Sequence, residues 1–135
     1  MTTQAQEITL VRAIHASPSQ VYKAFTTAQG WRDWCCETAE ADASIGGRLH
    51  IYTEGYHAYG EYMQLEQDRA VAFTWNGDGE PPMRIQVLID AQDNSASLTF
   101  KVTGLGSEGD WTSIADFLER TWGRVLNNLK AVLET

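Results

Sequence analysis

Few side chains in this 135-residue chain are suited to chemistry: two cysteines, three histidines and a scatter of carboxylates. The cysteines are adjacent, in the stretch Trp31-Arg32-Asp33-Trp34-Cys35-Cys36-Glu37. Structural zinc takes four ligands, usually from spaced pairs, and the chain has no second cysteine pair. A nucleophilic or redox thiol needs a pKa lowered by cations or a helix N-terminus. Arg32 is the only cation in the stretch and is offset by Asp33 and Glu37, so that role is not expected. Adjacent cysteines are also poorly placed to bond to each other, which argues against a disulfide framework and for a reducing compartment. The expected task of Trp31, Trp34 and Cys35 is to close a core or line a pocket.

His15, His50 and His57 each have the chemistry of a general base. His15 follows the first apolar segment and is expected at the surface. His50 alternates with Leu49 and Ile51, which turns it to the solvent side. His57 falls in Glu54-Gly55-Tyr56-His57-Ala58-Tyr59-Gly60, read as a hairpin turn. No serine or cysteine stands with them in a nucleophile motif. Glu54, Glu61, Asp68 and Asp110 read as solvated charge. Gly46-Gly47 and Asn76-Gly77-Asp78-Gly79 read as turns, matching neither a P-loop nor a dinucleotide fingerprint. No catalytic residue, metal or cofactor is expected.

The elements that must position these groups follow from periodicity. Ile8 to Ile14 alternates as a strand. Ser17-Pro18-Ser19-Gln20 is a capping box with proline at the first helical position. Val21, Tyr22, Ala24, Phe25 and Ala28 continue with helical spacing, giving a helix from about Pro18 to Thr27 that breaks near Gly30. From about residue 37 to 103, alternating runs separated by turn residues predict some six strands. Their inward sets include Leu49 and Ile51; Val71, Phe73 and Trp75; Ile85, Val87 and Ile89; and Leu98, Phe100 and Val102. Trp111, Ile114, Ala115, Leu118, Trp122, Val125, Leu126, Leu129 and Leu133 recur at steps of three and four, an apolar stripe on a long terminal helix. Asp110 is its expected N-cap. Gly123 inside it predicts close approach to another backbone.

Eighteen acidic against ten basic residues give a net charge of −8, which weighs against nucleic acid and anionic membrane as partners. No apolar run approaches the ~18 residues of a transmembrane helix. Met1 to Glu7 lacks the basic and apolar regions of a signal peptide, so a cytoplasmic location is expected. The length suits one domain over residues 1–135. A one-sided antiparallel sheet and one amphipathic helix bury each other's apolar faces, and a gap where they diverge is a natural cavity.

Several segments carry a resemblance. "SPSQVYKAFTTAQGWRDWC", "GGRLHIY", "GEYMQL", "AVAFTWNGDG" and "TWGRVLNNLKAVL" span nearly the whole chain in order. This order resembles the helix-grip fold of the START-like, or SRPBCC, superfamily. Within it the sequence is similar to the family named for the homologue of the activator of heat-shock protein 90 ATPase. The resemblance implies an α+β fold, a curved antiparallel sheet wrapped around a long C-terminal helix. Superfamily members bind lipids, polyketides, hormones or drugs, and a few are cyclases or hydrolases. The family name adds a cochaperone role. The chain departs from the family in having Thr121-Trp122-Gly123 where Gly-Trp is common, and Val102 where a histidine-containing segment often ends the last strand.

The leading expectation is non-enzymatic binding of a small hydrophobic or aromatic molecule between sheet and terminal helix. Its expected walls are Trp31, Trp34, Cys35, Tyr62, Phe73 and Trp75, with Ile85, Phe100, Trp111, Phe117 and Trp122. Five tryptophans exceed what an aliphatic core needs, and indole suits a flat apolar ligand. A cyclase- or hydrolase-like activity would draw on Arg48, His57, Tyr59, Glu61 and Tyr62. An interaction module with a chaperone or stress-response partner would use the acidic surface. Monomer and homodimer both remain open.

Overall fold

The computed structural model describes residues 7–78, 83–93, 95–103 and 111–134, the last range with side chains from residue 118 onward. The order of elements is β1 (Ile8–Ile14), α1 (Pro18–Thr26), α2 (Ala28–Trp34), β2 (Thr38–Ala41), β3 (Arg48–Thr53), β4 (Tyr56–Glu66), β5 (Ala70–Gly77), β6 (Met83–Ala91), β7 (Ala96–Thr103) and α3 (Trp111–Leu133). The strands form one seven-stranded sheet in the order β1-β7-β6-β5-β4-β3-β2. Every neighbouring pair is antiparallel. Only β1 is out of sequence order, pairing with β7 so that Ile8 faces Val102 and Ile14 faces Ala96.

Alternation sets the faces. Leu49, Ile51, Val71, Phe73, Trp75, Ile85, Val87, Leu98, Phe100 and Val102 are all buried, while the residues between them are half-buried or exposed. A register shift between Tyr62 and Gln64 marks a bulge in β4. A bulge bends its strand and adds twist, which helps the sheet curve. Leu118, Trp122, Leu126 and Leu129 are the buried stripe of α3, and their steps of four, four and three keep them on one helical face. Asp110 and the side chains of Ile114 and Ala115 lie outside the described residues.

The Arg12 side chain and backbone groups of Ala13 and His15 strap α3 in place. Arg12 donates from Nε to Asn127 Oδ1 at 2.8 Å and from a terminal nitrogen to the Gly123 carbonyl at 3.3 Å. Lys130 Nζ donates to the Ala13 carbonyl at 2.7 Å, and the His15 backbone N–H donates to Glu134 at 2.8 Å. The close neighbour expected at Gly123 is thus a guanidinium rather than a backbone: a Cβ there would meet only Arg12, at 3.4 Å.

The capping box forms as expected, with the Gln20 N–H donating to Ser17 Oγ and the Ser17 N–H donating to Gln20 Oε1. The break after the first helix comes at Thr27, three residues before Gly30. Thr27 is extended, caps α2 by accepting from the Gly30 N–H at 2.9 Å, and starts a second helix that includes Gly30. Glycine is needed there because α2 packs on α1: a Cβ at Gly30 would lie 2.2 Å from the Lys23 carbonyl oxygen. Trp31 to Trp34 are therefore helical, beyond the break that the sequence placed near Gly30. Asn76 and Gly77, read as turn residues, close β5 opposite Tyr59 and Ala58; cross-strand pairing outweighs their turn propensity. Gly79, Pro81, Pro82 and Asn94 lie outside the described residues.

Candidate functional site

Where α3 diverges from the β3–β5 side of the sheet, a cavity of about 310 Å³ opens. Ile51 and Thr53 of β3, Tyr56 of β4 and Trp75 of β5 form the sheet wall. Thr121, Trp122 and Val125 of α3 form the opposite wall, and Cys35, at the C-terminal end of α2, closes one side. These residues converge for simple reasons. Ile51, Thr53 and Trp75 share the inward phase of their strands, and Trp122 and Val125 lie three apart on the helix. The two indoles meet edge to face, 5.0 Å between centroids and 76° between planes, a preferred aromatic geometry. Trp75 Nε1–H donates to the Tyr56 hydroxyl at 3.0 Å. The cavity is thus chiefly apolar, with three hydroxyl-bearing side chains and one thiol on its rim.

Of the wall residues expected from the sequence, the structure brings Cys35, Trp75 and Trp122 to this cavity. Trp31, Tyr62, Phe73, Ile85 and Phe100 are instead fully buried behind it. Trp31 Nε1–H donates to the Phe25 carbonyl at 3.0 Å and to the Tyr62 hydroxyl at 3.3 Å, and Tyr62 itself donates to the same carbonyl at 2.7 Å. That network accounts for the polar atoms of both rings, and burial pushes the Tyr62 phenol up to about 12. Trp34 is also buried, its N–H given to the Ala24 carbonyl at 2.9 Å. It borders a different, shallow groove of about 250 Å³ between α1, α2 and the end of α3. A wider depression of about 650 Å³ near Ser17, Asp68 and Asp90 lies at the surface among polar residues. The side chains of Trp111 and Phe117 lie outside the described residues. Ile51, Thr53, Tyr56, Thr121 and Val125 were missed. The inward phase of β3 singles out Ile51 and Thr53, and the apolar stripe of the last helix singles out Val125; Tyr56 and Thr121 carry no such signal.

The two cysteines split their roles. Cys35 faces the cavity, while Cys36 packs back on α2 with its thiol 3.7 Å from the Trp31 carbonyl. The hydrogen bond Cys35 gives to Cys36, together with burial, raises the Cys35 thiol well above its ordinary value. Cys36 is lowered, first by that bond and then by the Tyr52 and Thr38 backbone and Arg32, against some desolvation.

The polar groups considered for catalysis are elsewhere. Arg48, Tyr59 and Glu61 are exposed, and Tyr62 is in the core. His50 lies on the outer face, as its alternation predicts. His57 is in β4 rather than in a turn, because the turn is made one step earlier by Glu54 and Gly55, both with positive φ of 45° and 84°. A two-residue turn of this kind matches the twist of the flanking strands. No histidine or carboxylate is among the described residues lining the cavity.

A seven-stranded antiparallel sheet gripping a long C-terminal helix, with an aromatic cavity between them, defines a helix-grip protein of the START-like class. Residues 15–134 match the family model described as Activator of Hsp90 ATPase homolog 1-like protein, and the chain belongs to that family. No curated protein matches it. Among solved structures it is similar to DynU16 of the dynemicin biosynthetic locus, with a TM-score of 0.84 and 19% identity, over 96% of this chain and 47% of that one. It thus spans about half the length of DynU16. The Aha1 dimer from Colwellia psychrerythraea gives a TM-score of 0.82 at 20% identity, covering 96% of each chain. CalU16 from Micromonospora echinospora gives 0.78 at 17% identity, over 96% of this chain and 76% of that one. At such identities the likeness establishes a shared fold.

Proposed function

We propose that this protein binds a small hydrophobic or aromatic molecule, without chemical conversion, in the cavity between β3–β5 and α3. The observation that carries this reading is the contact of Trp75 with Trp122 on the wall of a space of about 310 Å³. That volume is at the lower end of ligand pockets, which span ~300–1,000 Å³. It suits one or two rings or a short acyl chain. Ile51 and Val125 supply apolar contact, and the Thr53 and Thr121 hydroxyls orient a single polar substituent. The biosynthetic locus named for DynU16 supports a small organic molecule as the ligand class. The absence of histidine and carboxylate from the described walls favours binding over acid–base chemistry.

At roughly −0.5 kcal/mol per non-hydrogen atom, a ligand of about 12 atoms gains about −6 kcal/mol, a dissociation constant on the order of tens of micromolar. The test is a thermal-shift and tryptophan-fluorescence screen of aromatic acids, phenols, bicyclic ketones and short fatty acids. A ligand at ten times its Kd stabilises the fold by about 1.4 kcal/mol, a rise of a few degrees in Tm. Saturable quenching that accompanies the rise places the ligand beside the indoles. A screen in which no compound moves either signal overturns the reading.

The likeness to the Colwellia dimer supports a homodimer as a second, separable proposal. Sedimentation equilibrium at micromolar concentration decides it by mass. The family name alone suggests a chaperone partner, and neither the cavity nor the negative net charge selects one.

A further inference from the structure

The sheet face opposite α3 carries a line of polar contacts that the cavity does not use. In register, Glu40 of β2 stands opposite His50 of β3, and His50 opposite Tyr59 of β4. His57 lies two residues before Tyr59, so it shares that face and is diagonal to His50. His50 Nδ1 is 3.4 Å from Glu40 Oε1, and His50 Nε2 is 3.0 Å from His57 Nδ1. The imidazole planes are 5° from parallel. Tyr59 stacks on His50 at 4.6 Å between centroids, and Tyr52 leans on His57 at 4.6 Å. The Asp78 carboxylate accepts the His57 backbone N–H at 3.0 Å, which fixes the start of β4.

Two ring nitrogens aimed at each other share one proton. The carboxylate decides the rest: Glu40 accepts from His50 Nδ1–H, which leaves a lone pair on His50 Nε2. A divalent ion takes that lone pair and the one on His57 Nδ1, while the His57 proton moves through solvent to its outward Nε2. Metal–imidazole bonds of about 2.1 Å at a right angle put two nitrogens about 3.0 Å apart, and a tetrahedral angle opens this to about 3.4 Å. The observed spacing matches the first; because the two nitrogens point at each other, each ring turns by about 45° to aim its lone pair at the ion. A carboxylate on the far nitrogen of a ligating histidine is the usual outer-shell arrangement.

We propose that His50 and His57 form a two-nitrogen site for a borderline transition-metal dication, Zn2+, Ni2+ or Cu2+, with Glu40 as its positioning residue. Water completes the coordination, because no group of three or more ligating side chains occurs among the described residues. Copper binds tightest of the three, following the general order for nitrogen donors. The site is on the opposite face of the sheet from the cavity and stands independently of the ligand reading.

Titration calorimetry of the full chain with Cu2+ and with Zn2+, in a non-coordinating buffer at pH 7.5, tests this. One ion per chain is expected, with at least tenfold weaker binding in His50→Ala or His57→Ala and unchanged binding in His15→Ala. Glu40→Gln is expected to weaken binding about tenfold, in line with outer-shell changes elsewhere, while leaving metal-free stability and the two-nitrogen pattern in the Cu2+ electron paramagnetic resonance spectrum intact. Wild-type affinity in the double variant overturns the proposal. So does loss of binding in Cys36→Ser with both histidines present, which would place the ion on the thiols, and so does no heat of binding up to millimolar metal.

Discussion

Trp75 Nε1–H donates to the hydroxyl of Tyr56 at 3.0 Å, tying the far end of β5 to the first residue of β4 across the cavity wall. The bond has two effects. It satisfies a donor that would be costly to bury unpaired, and it fixes the orientation of the indole at the cavity wall. Trp122 then meets that indole at 76° from α3. Beside these two rings, Ile51 and Val125 complete the apolar wall of the cavity.

Filling the cavity should abolish binding without unfolding the protein. Val125 is half-buried and lines the cavity. In Val125→Phe the added ring enters open space, so metal- and ligand-free stability is expected to change by less than about 1.5 kcal/mol. The ligand-induced rise in Tm should disappear, which the same thermal-shift measurement reads directly.

Alkaline pH should weaken the fold through Tyr62. Its phenol ionises at about 12 when folded, against 10.0 for a free side chain. The unfolded chain therefore releases this proton first, so the contribution is complete below pH 10 and lost as pH rises through 12. Two pH units correspond to about 2–3 kcal/mol. Urea midpoints at pH 8 and pH 11.5 measure the loss, and Tyr62→Phe should flatten the difference by about that amount.

Two glycines should respond in opposite directions to alanine. At Gly30 a Cβ would press on the Lys23 carbonyl oxygen at 2.2 Å and the Ala24 Cα at 2.8 Å, backbone atoms that yield only if α1 and α2 separate. Gly30→Ala is expected to destabilise by at least about 2 kcal/mol. At Gly123 the nearest atom is a flexible guanidinium nitrogen at 3.4 Å. Gly123→Ala should stabilise by up to about 1 kcal/mol through helix propensity. Denaturant titration distinguishes the two signs.

The adjacent thiols should react unequally. Cys36 is lowered chiefly by the hydrogen bond from Cys35, whose own thiol is raised. Brief treatment with iodoacetamide at pH 7.5, read by peptide mass mapping, should therefore label Cys36 before Cys35. Cys35→Ala removes the donor and should slow labelling of Cys36 several-fold, because the thiolate is the reacting form.

The two-state reading of Trp31-Arg32-Asp33-Trp34-Cys35-Cys36-Glu37 as core or pocket resolves by position. The seven-residue helix carries both indoles inward to the core, and only the residue after its end, Cys35, reaches the cavity. Composition revealed that the stretch was rich in indole and thiol. The end of the first helix near Thr27 was legible, but nothing showed that a second helix, running through Gly30, would start there, since that depends on α2 docking against α1. His57 was misplaced for a similar reason: only the β3–β4 register, with Tyr56 opposite Thr53, shows that the turn is confined to Glu54 and Gly55 and that the strand starts before His57.

Strand alternation, the capping box and the apolar stripe of the last helix were written in the sequence, because each depends on neighbours within a few residues and on a fixed repeat. Those features were enough to define a sheet gripping a helix. Which aromatic rings border open space and which are locked in the core, and that Glu40, His50 and His57 share one line, were decided by tertiary structure. Such proximities join residues on different strands and helices, and they are set by sheet register and by the angle at which α3 leaves the sheet.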